Sequence, residues 1–190
     1  MVAIIPEEYS MRAKLIRWWL NLYGPFMGAG VRVDHISPDY LAVDVSMRMR
    51  PWNRNAVGTH FGGSLYSMVD PFYMLMLMQR LGPDYIVWDQ AAHIEFVSPG
   101  RGTVRAAFRL TEAQVDAILA EAASGLAVRP ELPVEVVGED GAVVARVRKL
   151  LYVRLKPALR PPVPSPETLA DLVPDQAGDP GVPRDAGEVR

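Results

Sequence analysis

Residues 51–80 constrain the fold and the function of this chain more than any other part of the sequence. A polar loop that contains glycine runs directly into a long apolar stretch, and that stretch carries a single acid, Asp70. We expect Gly62 and Gly63 to lie where the loop becomes a helix, because the first N–H groups of a helix have no partner within it and can bind an anion. Asp70 follows Gly63 by close to two helical turns, so the spacing predicts one cleft that holds both the N–H donors and the carboxylate.

The apolar residues after Gly63 surround the predicted helix instead of forming one stripe. Such a helix lies inside a domain, so we expect one helix from about Gly62 to Arg80 with a sheet wrapped around it. Pro71 removes a helical hydrogen bond and predicts a kink at the acid. A buried carboxylate must be hydrogen-bonded or neutralised, which favours a functional role for Asp70. The alternative is a break in the helix, at which Asp70 caps a second segment that starts at Pro71.

Alternating apolar residues elsewhere predict about six strands, and together with the helices they indicate an α+β fold. A hairpin precedes the motif, and the other expected strands lie at residues 85–97, 104–110, 134–137 and 143–155. Thr111 and Gln114 predict a capped helix between the fourth and fifth strands.

Alternation in residues 85–97 assigns the side chains of this strand to its two faces. The apolar face is expected to carry Ile86, Trp88, Ala92, Ile94 and Phe96, with Gln90 as an exception. The opposite face is expected to carry Asp89, His93 and Glu95 in surface or interface roles. Asp89 is the second candidate acid, placed below Asp70 because no helix end opened by glycine adjoins it in the sequence.

Two terminal segments flank the expected sheet. The first is a helix that opens at Pro6, ends at Gly24-Pro25 and carries an apolar stripe of Leu15, Trp18, Trp19, Leu22 and Tyr23. We expect this stripe to pack onto the domain, and the alternative is a lid or a subunit contact. The second is a proline-rich tail that is expected to be disordered. The expected division is 1–29 for the helix, 30–156 for the domain and 157–190 for the tail.

Composition and charge argue against several function classes. The net charge of -2, with scattered arginines, gives no basic surface for nucleic acid. The chain has no cysteine, and its three histidines do not form a ligand-like pair, so no metal site is expected. The first residues lack the positive charge of a signal peptide, and the longest apolar run is shorter than the roughly 20 residues of a membrane helix. We expect a cytoplasmic protein without nucleic-acid or membrane partners.

The motif resembles a known enzyme signature. Asn55, His60, Gly62-Gly63 and Asp70 together resemble the signature of hotdog-fold acyl-CoA thioesterases of the phenylacetate-degradation type, in which an asparagine precedes His-Gly-Gly and an aspartate follows it. In this chain the His-Gly-Gly of the family falls on Phe61 and the two glycines, so His60 lies one position early. Whether the imidazole enters the cleft therefore stays open.

The resemblance covers most of the chain. Residues 93–110 resemble the strand, Pro-Gly-Arg turn and strand of that family, and residues 143–155 resemble its last strand, so the match extends roughly over 30–156. Residues 70–74 and 85–89 are more similar still to a bacterial hotdog branch catalogued only as a domain of unknown function. The resemblance implies an antiparallel sheet wrapped around a long central helix.

The resemblance also implies an activity, namely hydrolysis of a short- or medium-chain or aromatic acyl-CoA thioester. It implies a homodimer or homotetramer with the site between two protomers, and no cofactor apart from the coenzyme A thioester itself. The implied catalytic residues are Asp70 as general base or nucleophile, Gly63 as the oxyanion donor through its N–H, Asn55 and His60. The expected substrate-binding residues are Phe61, Gly62, Thr59, Ser64 and Arg101, of which Arg101 has a guanidinium suited to a coenzyme A phosphate.

Two other functions remain open from the sequence. A non-catalytic module that binds acyl-CoA or lipid would keep the groove without needing an ionised Asp70 that faces the ligand, and the Phe-Gly-Gly sequence favours it somewhat. A hydratase of the same fold would need a paired aspartate and histidine on a strand-to-helix segment, and it ranks last because His60 precedes the helix.

Overall fold

Six antiparallel strands form one sheet in the computed structural model, which describes residues 7–161 of the chain and side chains from residue 10 onward. The strands are β1 Val31–Ile36, β2 Ala42–Arg48, β3 Tyr85–Phe96, β4 Thr103–Arg109, β5 Glu131–Val137 and β6 Val143–Leu155. They lie side by side in the order β1-β2-β4-β5-β6-β3, so β3 is an edge strand. The predicted number of strands and the antiparallel arrangement are confirmed.

Five α-helices accompany this sheet within residues 7–161. They are α1 Glu7–Leu22, α2 Gly24–Ala29, α3 Gly62–Ser67, α4 Phe72–Leu81 and α5 Glu112–Ala122. Met68, Phe72 and Leu77 are buried against the inner side chains of the strands, which places α3 and α4 in the interior as predicted. The α+β hotdog arrangement, with a sheet wrapped around a central helical segment, is therefore confirmed.

The central segment is broken, which corrects the prediction of one continuous helix from Gly62 to Arg80. Pro71 precedes α4 and has no N–H with which to continue the bonding of α3. Helical hydrogen bonding resumes where the N–H of Leu75 donates to the carbonyl of Pro71 at 2.9 Å. The alternative of a helix break is correct, but Asp70 does not cap α4, because α4 has no side-chain cap.

Strand β3 contains a bulge that the sequence pattern does not reveal. Asp89 lies opposite Leu151 of β6, whereas Ala91 lies opposite Leu150, so one extra residue is inserted between the two pairs. An inserted residue exchanges the faces to which the following side chains point.

The bulge overturns the predicted faces in the first half of β3. Val87 and Ile94 pack against the core, and Asp89 shares their inner face, where it contacts a buried residue of β6. Trp88 lies on the outer face and stacks on Tyr152 of β6 at 4.2 Å between ring centroids. Asp89 was expected outside and Trp88 inside, because strict alternation assumes a regular strand.

Helix α1 packs onto the first hairpin through the face opposite to the predicted one. Ala13 and Leu20 are buried, and Asn21 both donates to and accepts from the backbone of Val33. The apolar stripe of Leu15, Trp18, Trp19, Leu22 and Tyr23 is exposed. The expectation that it packs onto the domain is wrong for this protomer, because residues at these positions lie on the other side of the helix from residues 13 and 20.

The described residues up to Arg160 fall in one compact unit. Residues 162–190 of the expected tail lie outside the described residues, so its predicted disorder stays a prediction, as do the domain bounds of 1–29, 30–156 and 157–190. Among the helices described, none is long and apolar enough to cross a membrane.

Two alanine substitutions on α1 separate its two faces. Leu20 is 4% exposed, so Leu20→Ala should lower the free energy of unfolding by about 2–4 kcal/mol. Trp18 is 64% exposed, so Trp18→Ala should change it by roughly 0.5 kcal/mol or less. Urea unfolding at two protein concentrations measures both values. Equal losses for the two variants would show that another chain covers the stripe, as the alternative of a subunit contact requires.

Candidate functional site

Asn55 holds together the loop that leads into α3. Its Oδ1 accepts from the N–H groups of Val57 and Thr59 at 3.1 and 3.0 Å. Its Nδ2 donates to Thr59 Oγ1 at 2.8 Å and to the carbonyl of His60 at 3.2 Å. Both amide hydrogens and the carbonyl oxygen are thus engaged within the loop. Asn55 therefore stabilises the conformation of this loop. Its catalytic role, which the family resemblance implies, stays a prediction.

A second asparagine, which the sequence analysis overlooked, anchors the same loop to the domain. Asn53 is fully buried, and its Nδ2 donates to the carbonyls of Ala29 and Arg48. Its Oδ1 accepts from the N–H of Arg50 at 2.7 Å. The loop is therefore fixed at both asparagines.

His60 lies beneath the loop instead of projecting from it. It is 2% exposed, and its Nε2 lies 3.1 Å from the carbonyl oxygen of Gly102. Because a carbonyl only accepts, Nε2 carries the hydrogen and Nδ1 is the acceptor. Nδ1 is buried without a hydrogen-bond partner among the described residues. Burial lowers the pKa of His60, although the bond to Gly102 opposes this effect, so the ring is neutral at pH 7.

The start of α3 lies beside two aromatic rings. The first helical bonds are donated by Ser64 and by the residue after it, so within the described chain no backbone acceptor is recorded for the N–H groups of Gly62 and Gly63. A Cβ atom at Gly63 would lie 2.4 Å from the ring of Phe61, and one at Gly62 would lie 3.0 Å from the ring of Phe96. Both rings are half-exposed.

A cleft of about 400 Å³ opens at this point. Its lining includes Asn55, Thr59, His60, Gly62, Leu65 and Phe96. Four of the predicted site residues are thereby brought together. Asp70 is not among the lining residues, so one protomer does not unite the N–H donors and the acid in one cleft as the spacing predicted.

The remaining predicted binding residues support the loop. Thr59 is buried and accepts from the amide of the loop asparagine. Ser64 is buried in the first turn of α3, where its N–H donates to the carbonyl of Phe61 at 3.0 Å. Arg101 is exposed, and its Nη1 donates to the carbonyl of Gly58 at 3.0 Å.

Asp70 lies at the break between α3 and α4, with 47% of its side chain exposed. Its Oδ1 accepts from Nζ of Lys149 at 3.1 Å. Tyr66 is a further hydrogen-bonding neighbour of the Asp70 side chain. The carboxylate is thus held on its inner side by Lys149, and about half of the side chain is open to solvent.

Lys149 is the centre of a charged cluster that comprises Asp70, Asp89, Tyr66 and Lys149. The lysine lies on the inner face of β6, and its side chain is 0% exposed. Its Nζ lies 3.3 Å from Oδ1 of Asp89, with which it forms an ion pair. It also lies 5.3 Å from the centroid of the Tyr66 ring.

The cluster fixes the charge of Lys149. Burial by itself would lower the pKa of Lys149, but the hydrogen bond that Lys149 donates to Asp70 and the charges of Asp89 and Asp70 outweigh it, so this pKa is raised. Burial raises the pKa of Asp89, Lys149 opposes that rise and Asp70 adds to it. Burial likewise raises the pKa of Tyr66. Lys149 is therefore an ammonium ion that donates hydrogen bonds and not a base.

The sequence analysis missed Lys149. The inner positions of β6 alternate as Ala145, Val147, Lys149, Leu151 and Val153, and a lone lysine in such a row was the available signal. Asp89 was considered but assigned to the wrong face, because the bulge cannot be read from the residue pattern.

Other parts of the described structure do not form a comparable site. A larger cleft of about 980 Å³ lies on the outer face where β4 and β5 separate. Two of its polar lining groups are already paired, since Tyr73 donates to the carbonyl of Pro133 at 2.7 Å and Arg109 to Asp44 at 2.6 Å. Among the described residues, no group of three or more histidine, aspartate or glutamate side chains is placed to hold a metal ion.

Comparison with known families places the chain. Residues 12–153 match a family described as a domain of unknown function, DUF4442. The chain belongs to this family. A comparison with curated proteins found no match.

Several solved structures share the fold of this DUF4442 protein. A Pseudomonas aeruginosa protein of unknown function, described as a probable thioesterase, is 20% identical with a TM-score of 0.67, over 75% of this chain and 95% of that one. A Chlorobaculum tepidum protein of unknown function is 14% identical with a TM-score of 0.63, over 77% and 96%. The E. coli PaaI protein from the phenylacetic acid degradation operon is 14% identical with a TM-score of 0.52, over 78% and 94%. These likenesses establish the hotdog fold that the resemblance implied.

The buried His60 should make stability depend on pH. Because its pKa is lowered in the folded protein, neutral His60 contributes stability above its unfolded pKa of about 6.5, and this contribution is lost as the pH falls toward the folded value. His60→Gln keeps a donor for Gly102 but does not titrate, so its free energy of unfolding should fall less between pH 7 and pH 5. Urea titrations across this range measure the difference. Exposed His93→Gln is the control, and an unchanged slope in His60→Gln would contradict the assignment.

Proposed function

We propose that this DUF4442 protein is an acyl-CoA thioesterase whose site is shared by two protomers, with Asp70 of one facing the start of α3 of the other. The observation that supports this most is the placement of the two parts of the site beside opposite halves of β3. This strand lies at the edge of the sheet, and among the described residues only β6 pairs with it. Gly62 adjoins Phe96 at the end of β3, whereas Asp70 is tied through Lys149 to Asp89 in the first half of that strand.

The distance along the chain favours a shared site. At 1.5 Å per residue, the six residues of α3 from Gly62 to Ser67 span about 9 Å, and Asp70 lies beyond the end of α3. A reacting carbonyl requires its N–H donor and its attacking group within roughly 3 Å. One protomer alone leaves too wide a gap for a single thioester carbonyl.

Edge strand β3 offers a way to close this gap. It is twelve residues long, and within the described chain only β6 pairs with it. Long unpaired edges recruit a further strand, and two copies of β3 that pair antiparallel form a closed dimer. A two-fold axis near the centre of the strand places the Asp89 half of one copy beside the Phe96 half of its partner. Asp70 and Gly63 of different protomers then face one groove.

The proposed reaction uses these two groups together. The thioester carbonyl accepts hydrogen bonds from the N–H of Gly63 and also of Gly62, which stabilise the oxyanion as it forms; one such donor is typically worth about 3 kcal/mol. Asp70 takes a proton from water, and the resulting hydroxide attacks the carbonyl carbon. The C–S bond then breaks, and the thiolate takes the proton from Asp70. In the alternative route Asp70 attacks directly and forms an anhydride that water hydrolyses.

The surroundings suit an acyl thioester. The half-exposed rings of Phe61 and Phe96 flank the start of α3 and offer apolar surface to an acyl chain. Arg101 uses one Nη1 hydrogen for the carbonyl of Gly58, which leaves its other donors for a coenzyme A phosphate. We therefore propose a short- or medium-chain or aromatic acyl-CoA substrate and no further cofactor.

A second candidate function is a module that binds acyl-CoA or lipid without catalysis. The position of His60 favours it, because the imidazole is 2% exposed and its Nε2 is used by Gly102. A histidine held in this way presents little of its ring to the cleft, which weakens the match to the thioesterase signature.

Thiol release from a panel of acyl-CoA esters decides between the two functions. The natural protein should hydrolyse at least one ester, and Asp70→Asn should lower kcat by about a hundredfold or more, since it removes the base. Exposed Asp116→Asn is the matched control and should retain full activity. Binding of the same esters without turnover by any of the three proteins would support the binding module.

Complementation between protomers tests whether the site is shared. Gly63→Pro removes the proposed donor in the first turn of α3, where proline needs no helical hydrogen bond, but the Phe61 ring must move because a Cβ at this position lies 2.4 Å from it. The variant should lower kcat about 10²- to 10³-fold. Coexpression of Gly63→Pro with Asp70→Asn should restore roughly a quarter of the natural activity, because a mixed dimer contains one intact site. Coexpression of two differently tagged Asp70→Asn chains is the control. If the mixed protein is as inactive as this control, each site belongs to one protomer.

A further inference from the structure

We propose that Lys149, anchored by Asp89, is the positioning residue for Asp70: it binds Oδ1 of Asp70 and leaves Oδ2 as the atom that takes the proton from water. The inference rests on the proposed function, because it names the residues that act behind the proposed base. Lys149 contacts both Asp70 and Asp89, and in this proposal neither Lys149 nor Asp89 contacts the substrate.

The burial of Lys149 calls for an explanation beyond stability. An ammonium ion that is 0% exposed has lost its hydration, and only well-placed carboxylates compensate for that loss. Replacement of a buried ion pair by apolar residues is often neutral or stabilising, so packing alone does not require a lysine here. Val147 and Leu151, the neighbouring inner residues of β6, show that apolar side chains fit this row.

The bulge in β3 brings the second carboxylate to the lysine. In a regular strand with Ile94 on the inner face, Asp89 would point to the outer face. The extra residue between Asp89 and Ala91 reverses this assignment and turns Asp89 inward. With it, Oδ1 of Asp89 lies 3.3 Å from Nζ of Lys149, and Oδ1 of Asp70 lies 3.1 Å from the same atom. The ammonium ion is therefore held from two elements of the fold, β3 and the break between α3 and α4.

Two carboxylates around one ammonium ion suit a proton transfer. When Asp70 and Asp89 are both ionised, the cluster of these residues and Lys149 carries one net negative charge. When Asp70 takes a proton from water, it becomes neutral and no longer compensates Lys149. Asp89 then remains as the counter-ion, so the buried ammonium ion is paired both before and after the transfer. If Asp70 were the single carboxylate beside Lys149, the ammonium ion would have no counter-ion once Asp70 is protonated.

Tyr66, the remaining member of the cluster, also favours the charged form of Lys149. Tyr66 places its ring 5.3 Å from Nζ of Lys149, where the face of an aromatic ring attracts a cation. The charged and titratable groups recorded around Nζ are thus Asp70, Asp89 and Tyr66, from the helical segment and from β3. All three favour the protonated lysine, and burial alone opposes it.

Lys149→Met and Lys149→Arg test the positioning role in the full-length protein. Lys149→Met keeps the apolar stem without the charge, and it should lower kcat roughly 10- to 100-fold with KM changed less than about threefold, because the base is misplaced while binding remains. Lys149→Arg should recover activity to within about tenfold of the natural protein. Unchanged kcat in folded Lys149→Met would overturn the inference, and so would an equal loss of activity in Lys149→Arg.

A second readout does not depend on activity. Carbon NMR of the Asp70 carboxyl group at pH 7 should show a different chemical shift in Lys149→Met than in the natural protein, because the carboxylate has lost the hydrogen bond from Lys149. This difference supports the inference even if no ester is hydrolysed, an outcome that would refute the proposed function alone. Equal chemical shifts of this carboxyl group in the two proteins refute the inference even if the natural protein is active. If Lys149→Met does not fold, the double variant Lys149→Met with Asp89→Asn leaves no unpaired charge inside and carries the same comparison.

Discussion

A single ammonium ion held away from water links the elements that surround the site. Nζ of Lys149 lies 3.1 Å from Asp70 and 3.3 Å from Asp89, so a helix break and a strand bulge meet at one atom. Loss of one partner from a buried ion pair typically costs about 3–5 kcal/mol, because the remaining charge has no compensation. The break at Pro71 and the bulge after Asp89 are therefore not independent irregularities. Each brings one carboxylate to the same buried charge.

The break also decides how far the acid is exposed. Val69 and Phe72, on either side of the break, are 0% and 1% exposed, whereas the side chain of Asp70 is 47% exposed. Pro71 has no N–H, so the helical bonding lapses at this point and resumes only at Leu75. The interior therefore receives the apolar residues, and the carboxylate faces outward with one oxygen occupied. The same local feature serves the packing of the core and the chemistry of the site.

The sequence predicts those features that local pattern determines. Hairpin β1–β2, the capping box of Thr111 with Gln114, and the buried central segment follow from alternation, cap residues and all-round apolarity. The bulge that turns Asp89 inward leaves no mark in composition, and strict alternation then assigns the wrong face. Four of the site residues named from the sequence line one cleft, but the position of Asp70 outside that lining depends on the tertiary fold. Lys149 was missed because its partners are distant in the sequence.

The separation of β4 from β5 divides the sheet into two groups of three strands. Only two residue pairs join β4 to β5, namely Arg105 with Val137 and Ala106 with Val136. Further along β5, the carbonyl of Pro133 accepts a hydrogen bond from the hydroxyl of Tyr73. β1, β2 and β4 form one group, and β5, β6 and β3 form the other, which carries Asp89 and Lys149. Residues far apart with no shared partner contribute additively to stability. Evolution can therefore alter the first hairpin extensively while the geometry around the buried charge is retained.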